Sequence, residues 1–166
     1  MAIHGNGLEY DITLDAGTSV RTSTSQYLCV GAGETTTSDD WTAYVTNDST
    51  TAGTANAYYV IGINQTGAMS ATSTKCRVRM FGISKAKCAC SVPAWSFVAA
   101  YRGVSTTTRR GQIEPVGYGG TLTANITATN MVILGRALED GSTNSVISVF
   151  VNPTPYPLIN VTLAAT

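Results

Sequence analysis

Charge is scarce in this chain of 166 residues, histidine is scarcer still, and long apolar runs are missing. Asp, Glu, Lys and Arg make up 12% of the sequence, where about 25% is usual for a globular protein. Ten basic and ten acidic residues cancel to a formal net charge of zero. A nucleic-acid partner needs a basic face, so the balance speaks against one. It gives equally little reason to expect an anionic membrane. The single histidine, His4, lies in a Gly-rich opening stretch. A Ser-His-Asp or Cys-His site needs an imidazole held rigidly beside its nucleophile, and His4 is poorly placed for that. No apolar run approaches the ~18 residues of a membrane span. No sustained 3.6-residue apolar stripe is present either, which argues against amphipathic helices. Met1 to Gly7 lacks the basic and apolar regions of a signal peptide, so synthesis in the cytosol is expected.

What replaces charge is Thr, Ser, Asn and Gly. Thr favours strands and the others favour turns, so the composition points to an all-β protein. The length suits one domain with a real core. Leu8 to Asp15 alternates apolar and polar as a half-buried strand does. Gln26 to Val30 and Trp41 to Val45 read as further strands, and Phe97 to Tyr101 as a strand rather than a brief helix. Val92-Pro93-Ala94-Trp95 suits a helical turn with proline at its first position. Two hairpins stand out. Tyr58 to Gly82 and Met131 to Val151 each run into a glycine, loop through small polar residues, and return as an alternating strand. That similarity suggests two related halves with Gly62 and Gly135 in equivalent places. The expected architecture is a single compact barrel or sandwich of short strands. Residues 1–7 form a flexible arm, 8–151 the β domain, and 152–166 an extended tail. Prolines at 153, 155 and 157 keep that tail out of a central strand. Ile159 to Leu163 alternates and suits an added edge strand.

Catalytic chemistry finds little support. Cys29, Cys76, Cys88 and Cys90 are the four cysteines, and Cys88-Ala89-Cys90 has too short a spacer for common zinc sites. They read as buried small residues of strands. Glu139-Asp140 precedes Gly141, so turn formation accounts for it better than a paired-acid site does. Gly117, Gly119 and Gly120 lack the Lys-Ser/Thr of a phosphate loop. Arg109-Arg110 reads as a solvated loop. Lys75, Arg77, Arg79, Lys85 and Lys87 make the most basic stretch, read as a solvated sheet face. The sequons at Asn47, Asn64, Asn125 and Asn160 are chance products of an Asn- and Thr-rich chain. Trp41, Trp95 and Tyr101 suit a core or a subunit contact better than a sugar platform. No catalytic, cofactor or metal site is expected, and the protein does not read as an enzyme.

One resemblance emerges from the strands themselves. Asp11 to Gly17 followed by Ser25 to Val30 resembles the opening of a family of tailed-bacteriophage capsid decoration (cement) proteins. Val60 to Gln65, Arg77 to Lys85, Ile133 to Asp140 and Ser145 to Val149 are similar to the family's middle and close, in order. The Thr-rich stretches 35–56 and 117–130 and the Pro-rich tail depart from it. The resemblance implies a non-enzymatic virion protein on the outer surface of a phage head, made in the host cytoplasm. Its partners would be the major capsid protein and, as a homotrimer, itself. An arm ordering against the capsid suits residues 1–14, with Leu8, Tyr10, Ile12 and Leu14 as capsid-binding anchors. Trp95 and Phe97 are the candidate subunit contacts. The second reading is another virion surface protein, such as a head fibre, or a carbohydrate-binding β module.

Overall fold

A computed structural model describes residues 2–5, 8–16, 25–32, 42–45, 60–67, 75–101, 109–116 and 133–153. Within them every regular element of length is a strand: β1 (Ala2–Gly5), β2 (Tyr10–Ala16), β3 (Cys29–Ala32), β4 (Thr42–Val45), β5 (Val60–Asn64), β6 (Lys75–Lys87), β7 (Phe97–Ala100), β8 (Ile113–Pro115), β9 (Ile133–Ala137) and β10 (Val146–Val151). The all-β expectation holds, and the barrel is reached by closing the sheet twice. β2 pairs with β4, β4 with β3, β3 with β5, β5 with β6, and β6 returns to β2. From the second part of β6 the ladder runs to β10, β9, β7 and β8. A parallel bridge from Ile113 of β8 to Cys88, just past β6, closes that second ring. β6 serves both rings, and 13 residues make it long enough to do so.

The two rings match strand for strand and in register. The parallel contact of Ala16 with Ala43 in the first has its counterpart in Cys88 with Ile113. Val30 lies between Gly62 and Val45, as Val98 lies between Gly135 and Pro115. Each of these ladders shifts register one residue later, at Val30/Gly31 and at Val98/Ala99. Tyr27 and Trp95 occupy the same turn position, with φ of +66° and +65°. Their N–H groups donate to Asn64 O (2.9 Å) and Ala137 O (2.8 Å). The equivalence of Gly62 and Gly135 has a steric cause. A Cβ on Gly62 would stand 2.1 Å from Arg79 O, and one on Gly135 would stand 1.9 Å from Phe150 O. Both strands need a residue without a side chain where they cross a neighbouring backbone.

Each ring encloses its own core. Ile12, Leu14, Ala16, Val30, Ala43, Val45, Cys76 and Val78 fill the first, with Ile61 and Met80 packed against them. Val98, Ile113, Leu134, Ile147, Val149 and Val151 fill the second, which also takes in Cys29, Val60 and Ile63 from strands of the first. Burying a side chain such as Ile63 completely stabilises by roughly 1.5–3 kcal/mol. The shared residues therefore weld the rings together. Asn64 is fully buried and fully bonded, donating to Ser25 O, Ser25 Oγ and Thr66 O (each 3.2 Å) and accepting from Thr66 N (2.9 Å). Its sequon is thus an interior polar clamp.

Several local expectations change. Ala2–Gly5, expected within a flexible arm, forms β1 and pairs antiparallel with Tyr10 to Thr13. Residues 25–28 turn through Tyr27 before β3 begins, because Leu28 N donates back to Ser25 O (3.2 Å). Residues 93–96 form the matching turn rather than a helical one, with Ser96 N donating to Pro93 O (3.3 Å). The tail beyond Pro153, its edge strand at 159–163 and the Thr-rich stretch 117–130 lie outside the described residues.

Candidate interaction surface

β6 alternates except at Arg79, which is buried beside Val78, and its parity otherwise decides what faces water. Cys76, Val78, Gly82, Ser84 and Ala86 are buried, while Arg77, Phe81, Ile83 and Lys85 point outward. Beyond Met80 the inward positions are small and the outward ones include Phe81 and Ile83, so bulk sits on the wet side. Ile83 lies opposite Phe150 of β10, Phe150 opposite Arg136 of β9, and Arg136 opposite Phe97 of β7. Directly opposed residues of antiparallel strands share a face, so these four side chains form one row across the second ring. Val116 extends it beyond β7, its N–H donating to Phe97 O (2.8 Å).

Aromatic contacts stiffen the row. The Phe81 and Phe150 rings meet edge to face at 5.3 Å and 79°. The Arg136 guanidinium lies 4.4 Å above the Phe97 ring, a cation–π contact worth about 0.5–1 kcal/mol on a surface. Tyr10 stands opposite Phe81 and carries the apolar surface onto the first ring. There Leu8 is 78% exposed, and its carbonyl crosses close over Gly82, whose φ of +102° suits glycine alone. At the other end Trp95 is 66% exposed. Its left-handed backbone costs an ordinary residue roughly 1–2 kcal/mol, yet besides Ser96 N to Pro93 O the turn is held by Trp95 N to Ala137 O (2.8 Å), Ala94 N to Asp140 Oδ1 (2.8 Å) and Ser96 Oγ to Pro93 O (2.6 Å). A strained, exposed tryptophan beside an apolar row suits contact with another molecule.

The charged groups serve the scaffold. Asp11 and Arg79 are both buried, and the Arg79 guanidinium bonds Asp11, Ile83 O and Glu9 (2.8 Å). Burial draws the Arg79 pKa down, but hydrogen bonds and charge from Asp11, then Glu9, outweigh it and leave the value raised. Arg77 also reaches Asp11 (3.2 Å), Lys75 reaches Asp15 (2.6 Å), and Lys85 reaches Glu139 (3.2 Å). The basic stretch is therefore largely neutralised by its own strands. Glu139 is held below its ordinary pKa, first by the Ser148 backbone N–H, then by the Ser148 hydroxyl and Lys85. Asp140 caps the 93–96 turn, so the two adjacent acids point to separate structural tasks. All four cysteines are buried and free. Among the described residues, no three His, Cys, Asp or Glu side chains assemble as a metal-ligand set.

Of the anchors expected from sequence, Leu8 and Tyr10 are exposed, whereas Ile12 and Leu14 are 5% and 2% exposed and sit in the first core. A side chain committed to the core is not presented to a partner, which excludes Ile12 and Leu14 and leaves Leu8 and Tyr10 as the exposed candidates. Trp95 and Phe97 are both on the surface. Ile83, Phe150, Arg136 and Val116 were not foreseen. The legible signal was in β6, where large apolar residues at odd positions face small ones at even positions.

No protein-family model matches the chain, and no curated protein matches it significantly. Among solved structures, it is similar to the head fibre gp8.5 N base in bacteriophage phi29, at 10% identity and a TM-score of 0.44, over 86% of this chain and 92% of that one.

Proposed function

We propose that this chain is a non-enzymatic structural protein of a phage virion. It binds the outer surface of the head and stabilises the capsid lattice, with the major capsid protein as its partner. The observation that carries the reading is the exposed apolar pair Leu8 and Tyr10, which stands on the first ring beside strands clothed in internally paired charge. The resemblance of residues 8 to 151 to capsid decoration proteins supplies the class of partner. Its motifs fall on β2, β3, β5, β6, β9 and β10, which include strands of both rings. The homotrimer that the resemblance implies belongs to the same proposal. Many weak identical contacts repeated over a shell would sum by avidity.

The test is co-sedimentation of the purified protein with expanded, decoration-free heads of the phage that encodes it. Saturable binding is expected, with heads more resistant to heat. Leu8→Asp and Tyr10→Ser should each weaken attachment about tenfold while the fold persists, as loss of an interface anchor does. Absence of binding together with a specific glycan-array signal would overturn the proposal in favour of a carbohydrate-binding module.

A further inference from the structure

The internal repeat gives the exposed row a counterpart in the first ring. Arg79 lies opposite Asp11 and Ile63, and Ile63 opposite Cys29, so the first ring carries the row Asp11–Arg79–Ile63–Cys29. Its register counterpart in the second ring is Ile83–Phe150–Arg136–Phe97. The two rows have opposite fates. All four residues of the first are buried, at 6%, 7%, 0% and 0% exposure. Ile63 and Cys29 pack into the core of the second ring, and Cys29 N donates to Gly111 O (2.6 Å) across the junction. In the second row Ile83 and Phe97 are 55% and 49% exposed, Arg136 is exposed, and Phe150 is half-buried.

We infer that the row Ile83–Phe150–Arg136–Phe97 is a self-association surface that receives a second copy of this chain. In the first ring the equivalent face is covered by a β ring of this same fold, and among the described residues no such ring lies over the face of the second. A second copy supplies a ring of the required kind. The chemistry agrees. Where the first ring closes its end with the Asp11–Arg79 ion pair, the second has the apolar pair Ile83–Phe150, which gains only by removal from water. Aromatic residues and arginine, with tryptophan alongside, are the side chains enriched at the energetic centres of protein interfaces. This face serves the self-association contained in the proposed function.

The experiment is sedimentation equilibrium of the full purified chain with no heads present. Wild type is expected to associate at concentrations on the order of 10 μM, within reach of a standard-sized interface. Ile83→Lys and Phe97→Ser should each raise the dissociation constant at least about tenfold. Val146→Ser, at the far end of β10, should leave it unchanged. A second measurement needs no variant: hydroxyl-radical labelling of Ile83 and Phe97 should fall as wild type is concentrated through its association range. A wild type that is monomeric throughout, association that survives both substitutions, or labelling independent of concentration overturns the inference. Because heads are absent, none of these outcomes bears on head binding, and failure to bind heads leaves the self-association result standing.

Discussion

Single residues set the tightest constraints. Gly62 and Gly135 each pass a neighbouring carbonyl at a distance that excludes any Cβ. Gly62→Ala and Gly135→Ala should therefore each destabilise by about 2–3 kcal/mol or more, read as a lowered urea midpoint. Two silent substitutions would refute the equivalence of these positions. Asp11 is a second such point, since it bonds Arg79 and Arg77 from within the protein. Removing one partner of a buried ion pair strands the other, so Asp11→Ala should cost about 3–5 kcal/mol. The thiols make a third. Burial pushes Cys29 up to about 12 and Cys90 up to about 11; burial, helped by the Asp15 charge, pushes Cys76 up to about 11. Raised folded-state values favour the protonated thiol in the native protein. That contribution to stability is complete below the ordinary value of 9.0 and is lost as pH rises towards 11–12. At about pH 8 a disulfide reagent should titrate almost no thiol in the native protein and all four in urea. Rapid native reaction would contradict the burial.

At the scale of elements, the turns at 25–28 and 93–96 do the same work in the two rings, each feeding a strand from a residue in the left-handed region. Trp95 pays for that conformation without packing into the core. Trp95→Gly should thus leave stability unchanged or raise it by up to about 1–2 kcal/mol in dilute solution, measured by thermal unfolding. A large loss would mean that the indole is a scaffold element. The hairpin of β9 and β10 is fixed through Glu139, which accepts from the Ser148 N–H and from Lys85. Its lowered pKa makes that contribution present at neutral pH and lost as pH falls through the folded-state value.

At the scale of the molecule, the two rings share β6, and the second core contains side chains from the first. Neither ring is complete alone. Unfolding in urea should accordingly be one cooperative transition, with far-UV circular dichroism and fluorescence superimposing. Two separated transitions would show that the rings are independent domains. The same asymmetry underlies the proposed self-association surface: the first ring's row is buried inside the chain, and the second ring's row is exposed.

Local pattern carried much of this. Alternation in β2, β6 and β10, the glycines of two hairpins and the shortage of charge determined an all-β chain with related halves, because strand formation and turn chemistry are short-range. It also read the cysteines as buried small residues, as they are. What lay beyond the sequence was long-range closure. Whether Leu8 to Leu14 was an arm or a barrel strand turned on its pairing with β6, and that contact joins residues about 65 positions apart, a separation no local period records. The same holds for the row on the second ring. Its four residues come from four strands, and only the registers of those strands set them side by side.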